Sequence, residues 1–204
     1  MNNSRCNYHH GDLRNALIIA AAELIERDGT LEFSMTEAAA YSGVSAAAPY
    51  RHFADKDELL GSVRDLAILG LSNLAAETAE RFPIGSLDAI LAIGHAYLSF
   101  AREKRAFFSL IWEDRGDLIQ RRDNPMSKHY GFTVLVDLVR AFFDVNENAE
   151  VNEIRLATQV WSMAHGIATL EANQMLDLFD RSIEPESLLD ESVRTMLAGV
   201  VAQP

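Results

Sequence analysis

Apolar residues recur at three- and four-residue steps along most of this chain, which is the spacing of one face of an α-helix. The first such run extends from Leu13 to Leu24, and Asp28-Gly29 follows it as a stop signal. Residues 132–143 are rich in β-branched and aromatic side chains, yet their apolar positions also keep the helical period. The pattern therefore predicts an all-α protein with no strand.

Two short helices are predicted between residues 34 and 53. Ser34 and Glu37 have the spacing of a capping box, in which each side chain accepts a hydrogen bond from the other residue's amide. Gly43 provides the stop and Ser45 the next N-cap, so a second short helix is expected from Ser45 to Phe53. A further capping box at Asp55–Glu58 begins a long helix that reaches about Arg81.

Pro83-Ile84-Gly85-Ser86 interrupts this long helix, and four or five more helices are expected after it. The helix predicted over residues 152–176 is apolar on two opposite faces, so both faces must be covered. One face has the spacing of a helix-packing seam and is the candidate dimerisation surface: Leu156, Val160, Met163, Ile167 and Leu170. The alternative is that a single subunit buries both faces.

The composition favours a folded protein that does not span a membrane. The chain has 204 residues, of which 49% are apolar, and a formal net charge of −12, so it can bury a core. No uninterrupted apolar run approaches the roughly 20 residues that cross a bilayer. Met1–His10 is polar and Cys6 is the single cysteine, so we expect a cytoplasmic protein without disulfides or membrane contact. No metal-ligand spacing and no motif of a common enzyme class is present, so no metal, cofactor or enzymatic activity is expected.

Residues 34–53 have the arrangement of a helix-turn-helix, with Ala38 and Ala39 allowing close packing and Gly43 forming the turn. The run from Gly43 to Leu60, GVSAAAPYRHFADKDELL, resembles the DNA-binding domain of the TetR family of bacterial transcriptional regulators. Tyr8–Arg14 resembles one branch of that family, whose WHG ligand domain is matched by Trp161, His165 and Gly166. The resemblance implies a DNA-binding domain over residues 1–60 and a ligand-binding and dimerisation domain over residues 61–204.

The resemblance also implies a one-component sensor: a homodimer on an inverted-repeat DNA operator, most simply a repressor that a small-molecule effector releases. Thr36, Ser45 and Tyr50 would hold phosphates, Lys56 and the amides beside it would bind another phosphate, and Ala46, Ala47 and Arg51 would lie nearest the bases. The complete set of candidate DNA contacts is Thr36, Ser45, Ala46, Ala47, Tyr50, Arg51, His52 and Lys56.

The charge of the N-terminal part argues against DNA binding. Residues 1–56 contain five basic and seven acidic residues, so the basic footprint of a typical DNA-binding domain is missing. Ala46-Ala47-Ala48 can contact thymine methyl groups but cannot read a hydrogen-bonding pattern. An alternative function is therefore a dimeric ligand-binding or adaptor protein that has lost DNA binding.

Aromatic residues of the C-terminal part are candidates for an effector pocket, because such pockets are mostly apolar with a few polar groups. The candidate ligand-binding residues are Tyr97, Phe100, Phe108, Trp112, Tyr130, Trp161 and His165. The alternative for each of them is a place in the hydrophobic core.

Overall fold

The computed structural model describes residues 10–112, 130–145 and 151–201. Within these ranges the chain is helical and contains no strand. The α-helices are α1 (His10–Asp28), α2 (Met35–Tyr41), α3 (Lys56–Ala79), α4 (Leu87–Glu103), α5 (Arg105–Trp112), α6 (Tyr130–Val145), α7 (Glu153–Ala172), α8 (Leu176–Phe179) and α9 (Pro185–Val201). The all-α prediction is confirmed.

The N-terminal unit consists of α1, α2, the segment after α2 and the first turns of α3. Its core is apolar and buried, and it is built from Leu17, Leu24, Ile25, Phe33, Ala38, Phe53, Leu59, Leu60 and Val63. Ala38 and Ala39 are fully buried, so α2 packs closely on α1 as the sequence predicts. One member of this core, Leu110, comes from α5 in the other half of the chain.

Capping interactions fix the beginnings of the helices as predicted. The Ser34 hydroxyl accepts from the Glu37 amide at 3.1 Å, and the Glu37 carboxylate accepts from the Ser34 amide at 2.7 Å. At α3, Asp55 accepts from the Glu58 amide, but Glu58 accepts from the amide of Ala54 rather than Asp55. This second cap therefore reaches one residue further back than the predicted box.

The predicted helix from Ser45 to Phe53 is wrong. The structure has turns after Ser45 and then a single 3₁₀ turn at Pro49–Arg51. Pro49 has no amide hydrogen, so it cannot donate the α-helical hydrogen bond to the Ser45 carbonyl. Instead, the Ala48 amide donates to that carbonyl at 2.9 Å. The second element of the helix-turn-helix is thus short and tightly wound.

The C-terminal unit packs α4, α6, α7 and α9 around a second core, which includes Leu98, Val139, Phe143, Ala157 and Leu189. Six helices follow Pro83 in the described residues, against the four or five predicted, and two of them, α5 and α8, have only eight and four residues. The helix predicted to run to residue 176 ends at Ala172, where Asn173 caps it and Gln174 takes a positive φ of 56°.

The predicted dimerisation seam on α7 needs correction. Leu156, Val160 and Ile167 are buried in the core of their own subunit, while Met163 is half-buried and Leu170 is exposed. The three buried residues lie against α4, α6 and α9, so they are not available to a second subunit. The alternative, that one subunit covers both apolar faces, describes most of this helix.

Helix α3 belongs to both units, since it packs against α1 at one end and against α4 and α6 further along. It is also the one helix of the described ranges that is long and apolar enough to cross a membrane, a test that buried helices of soluble proteins pass as well. A search for an uninterrupted apolar run does not find α3, because Arg64 and Asp65 interrupt its apolar residues.

Candidate nucleic-acid interface and ligand cavities

The candidate DNA contacts lie together on the surface of the N-terminal unit. Thr36 is exposed in the first turn of α2, and Ser45, Ala46, Ala47, Tyr50 and Arg51 are exposed on the segment that follows the Gly43 turn. Tyr50 has 59% of its surface exposed, which is unusual for a tyrosine next to a packed core. His52 and Lys56 are half-buried. Most of the predicted residues are therefore accessible to a DNA molecule, and Arg51 supplies a guanidinium among them.

Two cations near this face are held in place by aromatic rings. The Lys56 ammonium lies 4.8 Å from the centre of the Phe33 ring, and the Arg14 guanidinium lies 5.0 Å from that of Phe53. Arg14 also donates to the Ser62 hydroxyl at 2.9 Å. The Glu58 amide donates to Asp55, so it is not available to a phosphate. The cap thus uses one amide at the start of α3, and the Lys56 side chain supplies a cation beside it.

A cavity of about 290 Å³ lies inside the C-terminal unit, between α3, α4, α5, α6 and α7. Most of its wall is aliphatic, and the polar groups are few: Ser72, Tyr97, Trp112, Thr158 and Trp161. Ser72 is already used, since its hydroxyl donates to the Ile68 carbonyl and accepts from the Gly131 amide. We call this space the inner cavity. It is suited to a small apolar molecule with one or two polar atoms.

A second cavity, of about 620 Å³, lies between the two units. The loop Gly29–Glu32 forms one side, and residues of α5 and of the end of α7 form the other. Its wall is more polar and includes Arg105, Ser109, His165 and Asn173. We call it the junction cavity.

An aromatic wall separates the two cavities and consists of Tyr97, Phe108, Trp112, Trp161 and His165. The Tyr97 hydroxyl lies 2.8 Å from His165 Nδ1. Burial raises the pKa of Tyr97 far above its usual value, and burial lowers the pKa of His165. The phenol therefore stays protonated and shares a hydrogen bond with the imidazole, whose tautomer decides which of the two groups donates.

Helix α5 connects the inner cavity to the N-terminal unit. Ile111 and Trp112 line the inner cavity, whereas Leu110 is fully buried in the N-terminal core. The carbonyl of Leu110 also accepts from Arg64 of α3 at 2.8 Å, and Arg64 is itself buried. A shift of α5 caused by a ligand would therefore act directly on the core that supports α2 and α3.

Family profiles match both halves of the sequence. The profile described as "Bacterial regulatory proteins, tetR family" matches residues 17–63, and "Tetracyclin repressor-like, C-terminal domain" matches residues 90–197, more than half of the chain. The chain belongs to the TetR family. TetR proteins are DNA-binding transcriptional regulators rather than enzymes. The WHG subtype predicted from Trp161, His165 and Gly166 is not confirmed by this match and stays a prediction.

Solved structures share this TetR fold over nearly the whole chain. A protein of unknown function from Rhodococcus sp. RHA1 has a TM-score of 0.75 at 27% identity, covering 96% of this chain and 98% of its own. The TetR family regulator PfmR from Thermus thermophilus has a TM-score of 0.56 at 21% identity, covering 89% and 97%. SmeT, the repressor of the Stenotrophomonas maltophilia multidrug efflux pump SmeDEF, has 0.54 at 16%, covering 91% and 89%. No curated protein sequence matches.

The structure divides the predicted TetR ligand residues between two places. Tyr97, Trp112 and Trp161 line the inner cavity, while Phe108, Trp112 and His165 line the junction cavity. Phe100 packs against the core and lines neither, and the side chain of Tyr130 lies outside the described residues. The aliphatic lining from α3 and α4, such as Leu71 and Ile93, was not predicted, because such residues have the same pattern as ordinary core.

Proposed function

We propose that this chain is a ligand-responsive repressor that binds an inverted-repeat operator as a homodimer and is released by a small apolar effector. The observation that carries the proposal is the two-sided position of α5, with Leu110 in the core of the N-terminal unit and Ile111 and Trp112 at the inner cavity. The residue division remains 1–60 for DNA binding and 61–204 for effector binding and dimerisation, with α3 shared between them. Such a protein works in the cytoplasm, where its operator is.

The proposed DNA contacts are the exposed set on α2, the 3₁₀ turn and the start of α3. Tyr50 and Lys56 would hold phosphates and Arg51 would reach a base edge, supported by the exposure of Tyr50 and Arg51 and by the Phe33 ring under Lys56. Because Ala46 and Ala47 offer only methyl groups, selectivity would rest on Arg51 and on the shape of the DNA.

The test of DNA binding begins with selection of genomic fragments by the purified protein at moderate salt. Enrichment of an inverted repeat supports the proposal. The double variant Tyr50→Ala, Lys56→Ala should then lose operator binding while remaining a folded dimer. Tyr41→Ala is the matched control, since Tyr41 is also a solvent-exposed tyrosine but lies at the other end of α2.

A second candidate function is the adaptor without DNA binding, which the acidic N-terminal part and Ala46-Ala47-Ala48 favour. The adaptor becomes the favoured function if a folded dimer enriches no DNA fragment and the double variant does not differ from the natural protein.

We place the dimer contact on the outward face of α7, together with α9. The small residues Ser162 and Gly166 on this face allow close approach of another helix, and the exposed apolar residues Ile154 and Leu170 flank it on its two sides. Ser162→Arg should give a folded monomer by light scattering. The control is Glu77→Arg on the exposed side of α3, which should stay dimeric. A dimeric Ser162→Arg protein would contradict this placement.

The effector would occupy the inner cavity, because its volume and aliphatic wall fit a small apolar molecule. Ala96→Leu adds bulk to this wall without touching the N-terminal unit. Once the operator is known, compounds that release the natural protein should fail to release the variant. Equal release of both proteins would place the effector elsewhere.

A further inference from the structure

The junction cavity differs from the inner cavity in what surrounds it. One side is the loop Gly29–Glu32, which leads directly into the capped start of α2. The other side is made by α5 and the last turns of α7 in the C-terminal unit. A molecule in this space would therefore contact both units at once, whereas a molecule in the inner cavity contacts the N-terminal unit only through α3 and α5.

Arg105 supplies a positive charge at the junction cavity. One of its N–H groups donates to the carbonyl of Ala172 at the end of α7, which fixes the direction of the side chain. Among the residues that the structure describes, no carboxylate lies within ion-pair distance of Arg105, and the neighbouring Lys104 pairs with Glu26. A guanidinium has five N–H donors in a fork that matches a carboxylate, so most of this group remains available to an anion.

The floor of the junction cavity is aromatic. Phe108, Trp112 and His165 line it, and the ring centres of Phe108 and Trp112 lie 5.7 Å and 5.3 Å from that of His165. The floor thus offers flat apolar surface against which an aromatic ring can pack.

We propose that the junction cavity is a second ligand site, which takes a small aromatic carboxylate with its charge on Arg105 and its ring against Phe108 and Trp112. The exposed carboxylate of Glu32 at the opposite side disfavours ligands with more than one negative charge. This site is separate from the proposed effector site in the inner cavity, which has no cation in its wall. The ligand would fix the loop before α2 relative to α5 and so bias the position of the N-terminal unit.

The test uses the full chain and a pair of probes that differ in charge but hardly in shape, 4-ethylbenzoate and 4-ethylbenzamide. The two tryptophans of the sequence, Trp112 and Trp161, both belong to the aromatic wall, so intrinsic fluorescence reports on this region alone. We expect a saturable fluorescence change with the carboxylate and weaker binding of the amide. Calorimetry on the same samples gives independent dissociation constants.

Arg105→Gln should weaken carboxylate binding about tenfold or more, because a hydrogen bond to a charged group is worth at least about one such factor. Arg105→Lys should retain part of the affinity, since it keeps the charge but not the fork. Ser109→Leu, which fills the junction cavity from α5, should also weaken binding. Circular dichroism confirms that each variant is folded before its affinity is compared.

Ala96→Leu is the matched control, because Ala96 lines the inner cavity and not the junction cavity. It should leave carboxylate binding unchanged. The proposal is overturned if the carboxylate gives no saturable signal, if Arg105→Gln binds as tightly as the natural protein, or if Ala96→Leu is the variant that loses binding. None of these results would affect the proposed operator binding, which is measured separately.

Discussion

Leu110 offers the sharpest test of how the two units are joined. It belongs to α5, yet it is fully buried in the core of the N-terminal unit with Leu17, Phe53 and Leu59. Its neighbour Ile111 is 2% exposed and lines the inner cavity instead. Truncation of these two adjacent residues should therefore weaken different halves of the same protein.

Leu110→Ala should lower the free energy of unfolding by about 3 kcal/mol, because cutting a fully buried leucine back to alanine typically costs about 2–5 kcal/mol. The cost should be near the middle of that range, since rigid helices surround the site and can close the space only in part. The loss should be felt first by the N-terminal unit, which has the smaller core. Operator affinity should fall with it, since α2 and the 3₁₀ turn rest on that core.

The assay is urea unfolding at one protein concentration, followed by two signals. Circular dichroism reports on all helices, while tryptophan fluorescence reports on the C-terminal unit, where both tryptophans lie. For Leu110→Ala, the dichroism midpoint should move to lower urea more than the fluorescence midpoint does. Ile111→Ala is the control and should move the fluorescence midpoint at least as far.

A destabilisation of Leu110→Ala below about 1 kcal/mol would refute the reasoning, because it would fall under the lower limit for a buried leucine. An identical effect of Leu110→Ala and Ile111→Ala on both signals would also refute it. The two residues would then share one core, and α5 would not divide its side chains between two units.

Three further predictions concern stability. Ser34→Ala should cost about 1 kcal/mol in urea unfolding, since it removes the N-cap of α2; no change would mean that the cap is redundant. Gly85→Ala should destabilise the protein more than Gly43→Ala: both have a positive φ, 74° and 71°, but only at Gly85 would a Cβ come within 2.7 Å of the Ala141 carbonyl. Thermal unfolding that ranks them in the opposite order would exclude this contact. Burial lowers the pKa of His165, so the unfolded chain binds its proton more readily, and stability should fall as the pH drops below the ordinary histidine value of 6.5. His165→Gln should show a flatter pH profile, measured as the free energy of unfolding from about pH 7 to 5.

The features that sequence predicted well are those set by neighbouring residues. The Ser34–Glu37 box, the left-handed Gly43 and the break at Pro83–Ser86 each depend on a few consecutive residues, and each is present. The helical period of residues 132–143 predicted a helix rather than a strand, and the structure confirms it. The candidate DNA contacts stay a prediction, although most of them are exposed as such contacts must be.

Features that depend on distant packing could not be predicted in this way. The apolar residues of α7 show that both faces are covered, but not whether a second subunit or α4, α6 and α9 cover them. The short helix predicted from Ser45 to Phe53 is a 3₁₀ turn instead, because the buried Pro49 lacks the amide that an α-helix needs at that position. The division of the aromatic residues between two cavities depends on where α5 and α7 cross.

Helix α5 has one feature that the sequence predicts, its burial, and one that depends on distant packing, the place of each side chain. All but two of its eight residues, Arg105 and Ser109, are apolar, so most of its surface must be covered by other parts of the protein. Sequence alone cannot say that the two sides belong to different cores, since Phe107, Phe108, Leu110 and Ile111 are chemically alike. The structure resolves this through consecutive residues: Leu110 enters the N-terminal unit and Ile111 the wall of the inner cavity. A ligand that displaces one must rotate or translate the other, because a helix of about two turns has no hinge between neighbouring residues. Under the proposed function, α5 itself would therefore carry the effect of a ligand in the inner cavity to the N-terminal unit.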